Sequence, residues 1–176
     1  MHLRTATHAD IPALIELVTS AYRGEASRQG WTTEADLLDG QRIDETMLRA
    51  DIDRPQSLIL VAERDRGLLA CAHIAIEDGD GYFGMFSVAP GAQGDGIGKT
   101  VLSACERLAR DTLGCTRLRM TVIDCREELI AYYERRGYRR TGIKKPFPYG
   151  DPRYGLPKRG DLRFEILEKQ LDGDSA

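Results

Sequence analysis

Gln93-Gly94-Asp95-Gly96-Ile97-Gly98 stands where an extended segment hands over to a helical one. The apolar, β-prone run Tyr82 to Val88 precedes it, and the helix-like stretch Lys99 to Leu113 follows. A glycine-rich strand-to-helix junction restricts what the chain can become, because glycines there let backbone N–H groups approach a ligand closely. The helix that opens at the junction adds about half a positive charge at its N-terminus. Together these features form a cradle for phosphate oxygens. A glycine-rich β–α turn that holds no ligand is the plain alternative.

Spacing separates three glycine-rich patterns. A P-loop requires G-x-x-x-x-G-K-[ST]. Gly98-Lys99-Thr100 supplies its tail, but the first glycine would fall on Gln93. A dinucleotide fingerprint requires G-x-G-x-x-G. Gly94 and Gly96 match it, but the third glycine position is Lys99. The pattern that fits is Gln-x-x-Gly-x-Gly, placed after a strand ending in Val88-Ala89-Pro90. It resembles the pyrophosphate-binding motif of the GNAT (GCN5-related N-acetyltransferase) superfamily, which holds acyl-coenzyme A. A second segment, Glu128-Leu129-Ile130-Ala131-Tyr132-Tyr133-Glu134-Arg135-Arg136-Gly137-Tyr138, resembles the L-Y-E-K-x-G-F signature of the same superfamily. Tyr133 takes the signature tyrosine and Gly137 the helix-ending glycine. The residues agree with a helix: Arg126 to Arg136 has no Pro or Gly, carries acids early and arginines late, and stops at a glycine. Arg126, Ile130 and Tyr133 share one of its faces.

Composition narrows the class. The chain has 176 residues, suited to one domain, and is 41% hydrophobic and 30% charged, a globular balance. A net charge of −3 disfavours a nucleic-acid partner, which calls for a basic surface. Met1-His2-Leu3-Arg4 opens no apolar signal region, and no window approaches a membrane span, so a cytoplasmic protein is expected. Cys71, Cys105, Cys115 and Cys125 have no C-x-x-C spacing, which predicts reduced, mostly buried thiols and no metal site.

Periodicity predicts strands at Leu3 to Ala6, Ser57 to Glu63, Leu68 to Ile76, Tyr82 to Val88, Arg117 to Val122, Tyr138 to Ile143 and Leu162 to Leu167. Helices are expected after the capping-box pattern Thr7-x-x-Asp10, with Ile11, Leu14, Ile15, Val18 and Tyr22 on one apolar face until Gly24 to Gly30 breaks it, at Thr33 to Arg49 with an interruption near Gly40, at the glycine junction, and around Tyr133. Lys144 to Gly160 reads as a proline-rich loop. This order is an α/β domain with a mixed sheet. It matches the GNAT fold, which implies a mostly antiparallel sheet whose fourth and fifth strands splay apart. The domain is expected over residues 1–171, with 172–176 as a flexible tail.

The resemblance implies an N-acetyltransferase that uses acetyl-CoA as acyl donor and a primary amine as acceptor, by direct attack without a covalent acyl-enzyme. It places Phe86, Ser87 and Val88 along the pantetheine, and Gln93, Gly94, Asp95, Gly96, Ile97, Gly98 and Lys99 around the pyrophosphate. Tyr133 becomes the general acid for the departing thiolate, a phenol near pKa 10 being a matched weak acid. Tyr132 is expected to pack. Many members carry an asparagine seven residues before that tyrosine. Arg126 stands there instead, and an arginine cannot accept hydrogen bonds. Its expected role is contact with the cosubstrate, an acidic acceptor or solvent. Glu25, Glu34, Glu77, His73 and Asp124 remain open as the base, with Glu25 and Glu77 placed first and Trp31 between Glu25 and Glu34. The proline- and aromatic-rich loop Pro146 to Pro157 offers a cover for the acceptor or a self-packed surface loop. The acceptor is a small molecule or peptide, and a homodimer is compatible. A non-catalytic acyl-CoA sensor on the same fold is the alternative function.

Overall fold

The computed structural model describes residues 1–30, 32–65 and 67–171. Apolar residues recurring every three or four positions build the helices. In α1 (Ile11–Tyr22), Ile11, Leu14, Leu17, Val18, Ala21 and Tyr22 are buried. In α4 (Ile97–Asp111), Ile97, Val101, Cys105 and Ala109 repeat at i+4 and face the sheet. The other helices are α2 (Gly24–Ser27), α3 (Glu45–Asp53) and α5 (Glu127–Glu134). The principal strands are β1 (His2–Thr5), β3 (Ser57–Arg64), β4 (Gly67–Glu77), β5 (Asp80–Val88), β6 (Arg117–Ile123), β7 (Arg139–Pro146) and β9 (Arg163–Gln170). Two short strands, β2 (Leu38–Asp39) and β8 (Leu156–Pro157), pair with each other.

The seven long strands form one sheet in the order β1-β3-β4-β5-β6-β9-β7. All neighbours are antiparallel except β5 and β6, which run parallel. That pair bonds only at Gly81–Leu118 and Tyr82–Arg119, and beyond it the two strands part. Met85 shows why. Its φ is +51°, and the β4–β5 register slips between Cys71–Ser87 and His73–Gly84. A bulge of this kind bends a strand and re-aims its side chains. Met85 accordingly packs with α1 on one face, while Phe83, Phe86 and Val88 pack with α4 and α5 on the other. The implied GNAT architecture with splayed fourth and fifth strands is present, as β5 and β6.

The region 33–49 differs from its expected helix. Leu38 and Asp39 pair with β8, and helix resumes only at Glu45. Asp44 makes that restart, since its side chain accepts the Met47 N–H at 2.8 Å. The segment from 144 is also more ordered than a loop, because β7 continues through Pro146 against β9. The proposed tail 172–176 and Trp31 lie outside the described residues. No helix among the described residues is long and apolar enough to cross a membrane. Cys71, Cys105 and Cys115 are buried thiols, and Cys125 is exposed.

His73 sits inside β4, 5% exposed, with its Nε2 2.8 Å from Ser57 Oγ. Burial pushes its imidazole down to about 4; Asp51 lies 3.7 Å from Nδ1 but does not reverse that direction. Between roughly pH 6.5 and 4 the unfolded chain therefore binds a proton that the folded chain refuses. His73 by itself makes stability fall as pH drops through this window, by about 3 kcal/mol, against the opposite pull of Asp51, whose carboxyl burial raises. Urea unfolding at pH 7 and pH 4.5 checks this, and His73→Gln is expected to remove most of that pH dependence.

Candidate active site

The parting of β5 and β6 opens two cavities that meet at Phe86. The first, about 240 Å³, is walled by the glycine junction and α5. Gly96 has φ +74° and turns the chain into α4, whose bonding starts with Thr100 N–H to the Gly96 carbonyl at 3.1 Å. The N–H groups of Ile97, Gly98 and Lys99 thus begin the helix without helical partners. A Cβ on Gly98 would stand 3.2 Å from both the Phe86 ring and the Tyr132 hydroxyl, so only a glycine leaves this wall open. The Gln93 side-chain amide donates to the Val88 carbonyl at 3.0 Å and to Thr32 Oγ1 at 3.2 Å. It ties the junction to the end of β5. Val88, Gly94 and Lys99 line the same cavity.

Other expected cosubstrate residues take different places. Ser87 is fully buried, with its hydroxyl donating to the Met85 carbonyl. The Ile97 side chain belongs to the core, leaving its backbone for the cradle. Asp95 is exposed and lines neither cavity. Tyr132, expected only to pack, faces this cavity with the Arg136 guanidinium stacked 3.4 Å over its ring. The i+4 spacing of Tyr132 and Arg136 was the available signal.

The second cavity, about 220 Å³, lies between the splayed strands. Tyr133 lines it, one residue along α5 from Tyr132, and its ring packs against Phe83, Phe86 and Tyr138. Burial raises its phenol well above the ordinary value, so it stays protonated. Tyr22 lies on the same wall and donates its hydroxyl to the Phe86 carbonyl; burial pushes it up to about 12. Phe147 and Tyr154 bring the aromatic loop to this cavity. That loop is fastened by Tyr149, whose hydroxyl donates to the Arg159 carbonyl at 2.8 Å and accepts the Leu162 N–H at 2.9 Å.

Of the places open to Arg126, the structure puts it on the second cavity, away from the glycine junction and largely withdrawn from solvent. Its guanidinium is 9% exposed, donates to Glu34 Oε1 at 3.1 Å and to the Thr32 carbonyl at 2.5 Å. The Glu34 carboxylate draws it there. Arg23 reaches the other oxygen of Glu34 at 2.5 Å. Burial works to raise the Glu34 carboxyl, but Arg126, Arg42 and Arg23 hold it below the usual range. An ionised carboxylate clasped by two guanidiniums is a poor proton acceptor.

The two carboxylates placed first as bases stand apart from both cavities. Glu25 is on the exposed α2, its side chain 90% exposed and paired with Arg28. Glu77 ends β4 at the surface, paired with Arg54 at 3.2 Å. Neither lines a cavity, because α2 and the β4 terminus both point to solvent. His73 faces Ser57, and Asp124 is held by Lys144 and Arg163. Among these five candidates only Glu34 reaches the cavity. Arg23 and Arg42 carried no sequence signal; they meet Arg126 only through the fold.

The acetyltransferase (GNAT) family pattern matches residues 13–138. No curated protein matches the chain in sequence. Among solved structures, an N-acetyltransferase from Staphylococcus aureus Mu50 is similar at a TM-score of 0.73, with 12% identity over 97% of each chain. The ribosomal-protein-S18-alanine N-acetyltransferase from Escherichia coli has a TM-score of 0.72 and 14% identity, covering 99% of this chain and 97% of that one. yncA, a putative acetyltransferase from Salmonella typhimurium with its cofactor acetyl-CoA, has a TM-score of 0.71 and 21% identity, covering 100% and 96%. At such identities the neighbours establish the fold, and the family match, spanning well over half of the sequence, establishes membership: this chain belongs to the GNAT acetyltransferase family.

Proposed function

We propose that residues 1–171 form an N-acetyltransferase domain that moves the acetyl group of acetyl-CoA onto a primary amine by direct attack. The observation that carries this reading is the meeting of two cavities at Phe86, one opening on the glycine junction and the other on Tyr133. The unpaired N–H groups at the start of α4, with Lys99 beside them, suit a pyrophosphate. The arm of the cosubstrate would run along β5 past Val88 toward Phe86.

The acceptor amine sheds its extra proton to water and forms the N–C bond as the C–S bond breaks. The sulfur takes the Tyr133 proton, the new amide nitrogen loses one, and the phenol is restored, so one proton is released per turnover. Water is the proton acceptor in this reading because Glu34, the one candidate base lining the cavity, is already committed to arginines. Deprotonating an amine of pKa near 8 at pH 7 costs about 1.4 kcal/mol, against roughly 4.6 kcal/mol for a lysine-like amine. An α-amine is therefore the better suited acceptor.

Calorimetric titration with acetyl-CoA, beside ATP–Mg²⁺ and NAD, tests the reading. Micromolar binding of acetyl-CoA alone is expected. Tighter binding of ATP, or no binding of acetyl-CoA, would mean that the junction serves another ligand.

A further inference from the structure

The second cavity carries more positive charge than its own residues neutralise. Three guanidiniums, those of Arg23, Arg42 and Arg126, line it against a single carboxylate, Glu34, leaving two positive charges in excess. Arg23 is 5% exposed, and although its Nη1 is bonded to Glu34, its Nε and Nη2 have no hydrogen-bond partner among the described residues. Buried N–H groups of this kind are costly to leave unpaired, and such groups point to a missing acceptor. Arg42 has no ion pair within contact distance among the described residues; it stacks 5.3 Å over the Tyr22 ring and acts on Glu34 through space. Three arginines gathered in a half-closed space, one of them with unmet donors, form a fork suited to a planar oxyanion. The opposite walls are apolar, including Phe83, Met120, Phe147 and Phe164. At about 220 Å³ the space is smaller than the roughly 300–1,000 Å³ of sites for drug-sized ligands.

We propose that the acceptor is a small amino acid-like molecule, its carboxylate or equivalent oxyanion held by Arg23, Arg42 and Arg126 and its amine presented toward Tyr133. The inference rests on the acetyltransferase reading above and narrows its acceptor to a compact zwitterion with an apolar or neutral side chain. A coenzyme phosphate does not explain the cluster, because none of the three arginines lines the cavity of the glycine junction. A peptide N-terminus does not explain it either, since its first residue carries no adjacent oxyanion.

The test is a thiol-release assay with acetyl-CoA and a panel of free L-amino acids. The best of them is compared with its own amide, its decarboxylated amine and its α-aminophosphonate. The acid is expected to exceed the amide and the amine in kcat/KM by at least about 10²-fold, because the neutral analogues leave buried donors unpaired. The phosphonate arm decides which oxyanion is preferred. Arg42→Gln, which breaks no ion pair of the described protein, is expected to raise KM for the acid at least about tenfold with the acetyl-CoA Kd unchanged.

A second readout needs no chemistry: the free amino acids alone should raise the melting temperature of the wild type and not of Arg42→Gln. Neutral amines acetylated as well as the acids would overturn the proposal and leave the acetyltransferase reading standing. Thiol release with no amine at all, despite acetyl-CoA binding, would overturn that reading. In that case the melting experiment alone decides whether the arginines hold a carboxylate.

Discussion

Tyr133→Phe is expected to lower kcat by roughly 10²–10⁴-fold while acetyl-CoA affinity stays within a few-fold of the wild type. The substitution removes one oxygen and keeps the ring that packs on Phe83, Phe86 and Tyr138, so the fold should hold. What would be lost, in the proposed mechanism, is the proton for the departing thiolate. Because burial holds the Tyr133 phenol well above 10, the acid does not titrate in the neutral range. The wild-type kcat/KM should therefore rise about tenfold per pH unit up to the pKa of the acceptor amine, then level without a falling limb below pH 10. Stopped-flow thiol release across pH 6–10 measures both. Unchanged turnover in the variant would take Tyr133 out of the acid role.

Gly98→Val should cost nearly as much, but in binding. A Cβ there meets the Phe86 ring and the Tyr132 hydroxyl at 3.2 Å and Val88 at 3.5 Å, and the two valine methyls would extend into the cavity. Losing two charge-assisted hydrogen bonds at about 1.5–3 kcal/mol each weakens acetyl-CoA binding by roughly 10²–10⁴-fold. The comparison with Gly96→Ala separates blockage from strain. Nothing lies within 4 Å of a Cβ on Gly96, but its φ is +74°. That variant is expected to lose about 1–2 kcal/mol of folding stability with far less effect on affinity. Calorimetry and thermal unfolding on the two proteins distinguish these outcomes. Equal affinities in Gly98→Val and the wild type would place the cosubstrate elsewhere.

Local chemistry made some elements legible. The i, i+3, i+4 apolar pattern of α1 and α4 has a single reading, and the alternating or continuous apolar runs of β3, β4 and β5 are nearly as plain. The glycine junction and the Tyr133 helix were readable for the same reason: the constraint that makes them, a close backbone approach or a capped helix, acts between neighbours in sequence. The 33–49 segment misled because its apolar spacing resembles a helix. The decisive partners of Leu38 and Glu34 are Pro157, Arg23 and Arg126, the first and last some ninety residues or more away in sequence.

The candidate bases could not be ranked from the sequence for the same reason. Carboxylates at Glu25, Glu34 and Glu77 are equivalent in sequence, and burial alone distinguishes them: two end in solvent and one in the cavity. Arg126 looked like a departure from the cosubstrate pattern. The packing of the 32–34 segment against the start of α5 places it on the second cavity beside Glu34.

The sequence by itself determined the family and the α/β class, and it singled out the glycine junction Gln93 to Lys99 and Tyr133 as candidates, because each is written in residues close along the chain. The tertiary structure decided which charges share a cavity. Arg23 and Arg126 meet at Glu34 and Arg42 lines the same cavity, although Arg126 is distant from the other two along the chain. Electrostatic energy falls off with distance through space, and sequence separation carries no record of it.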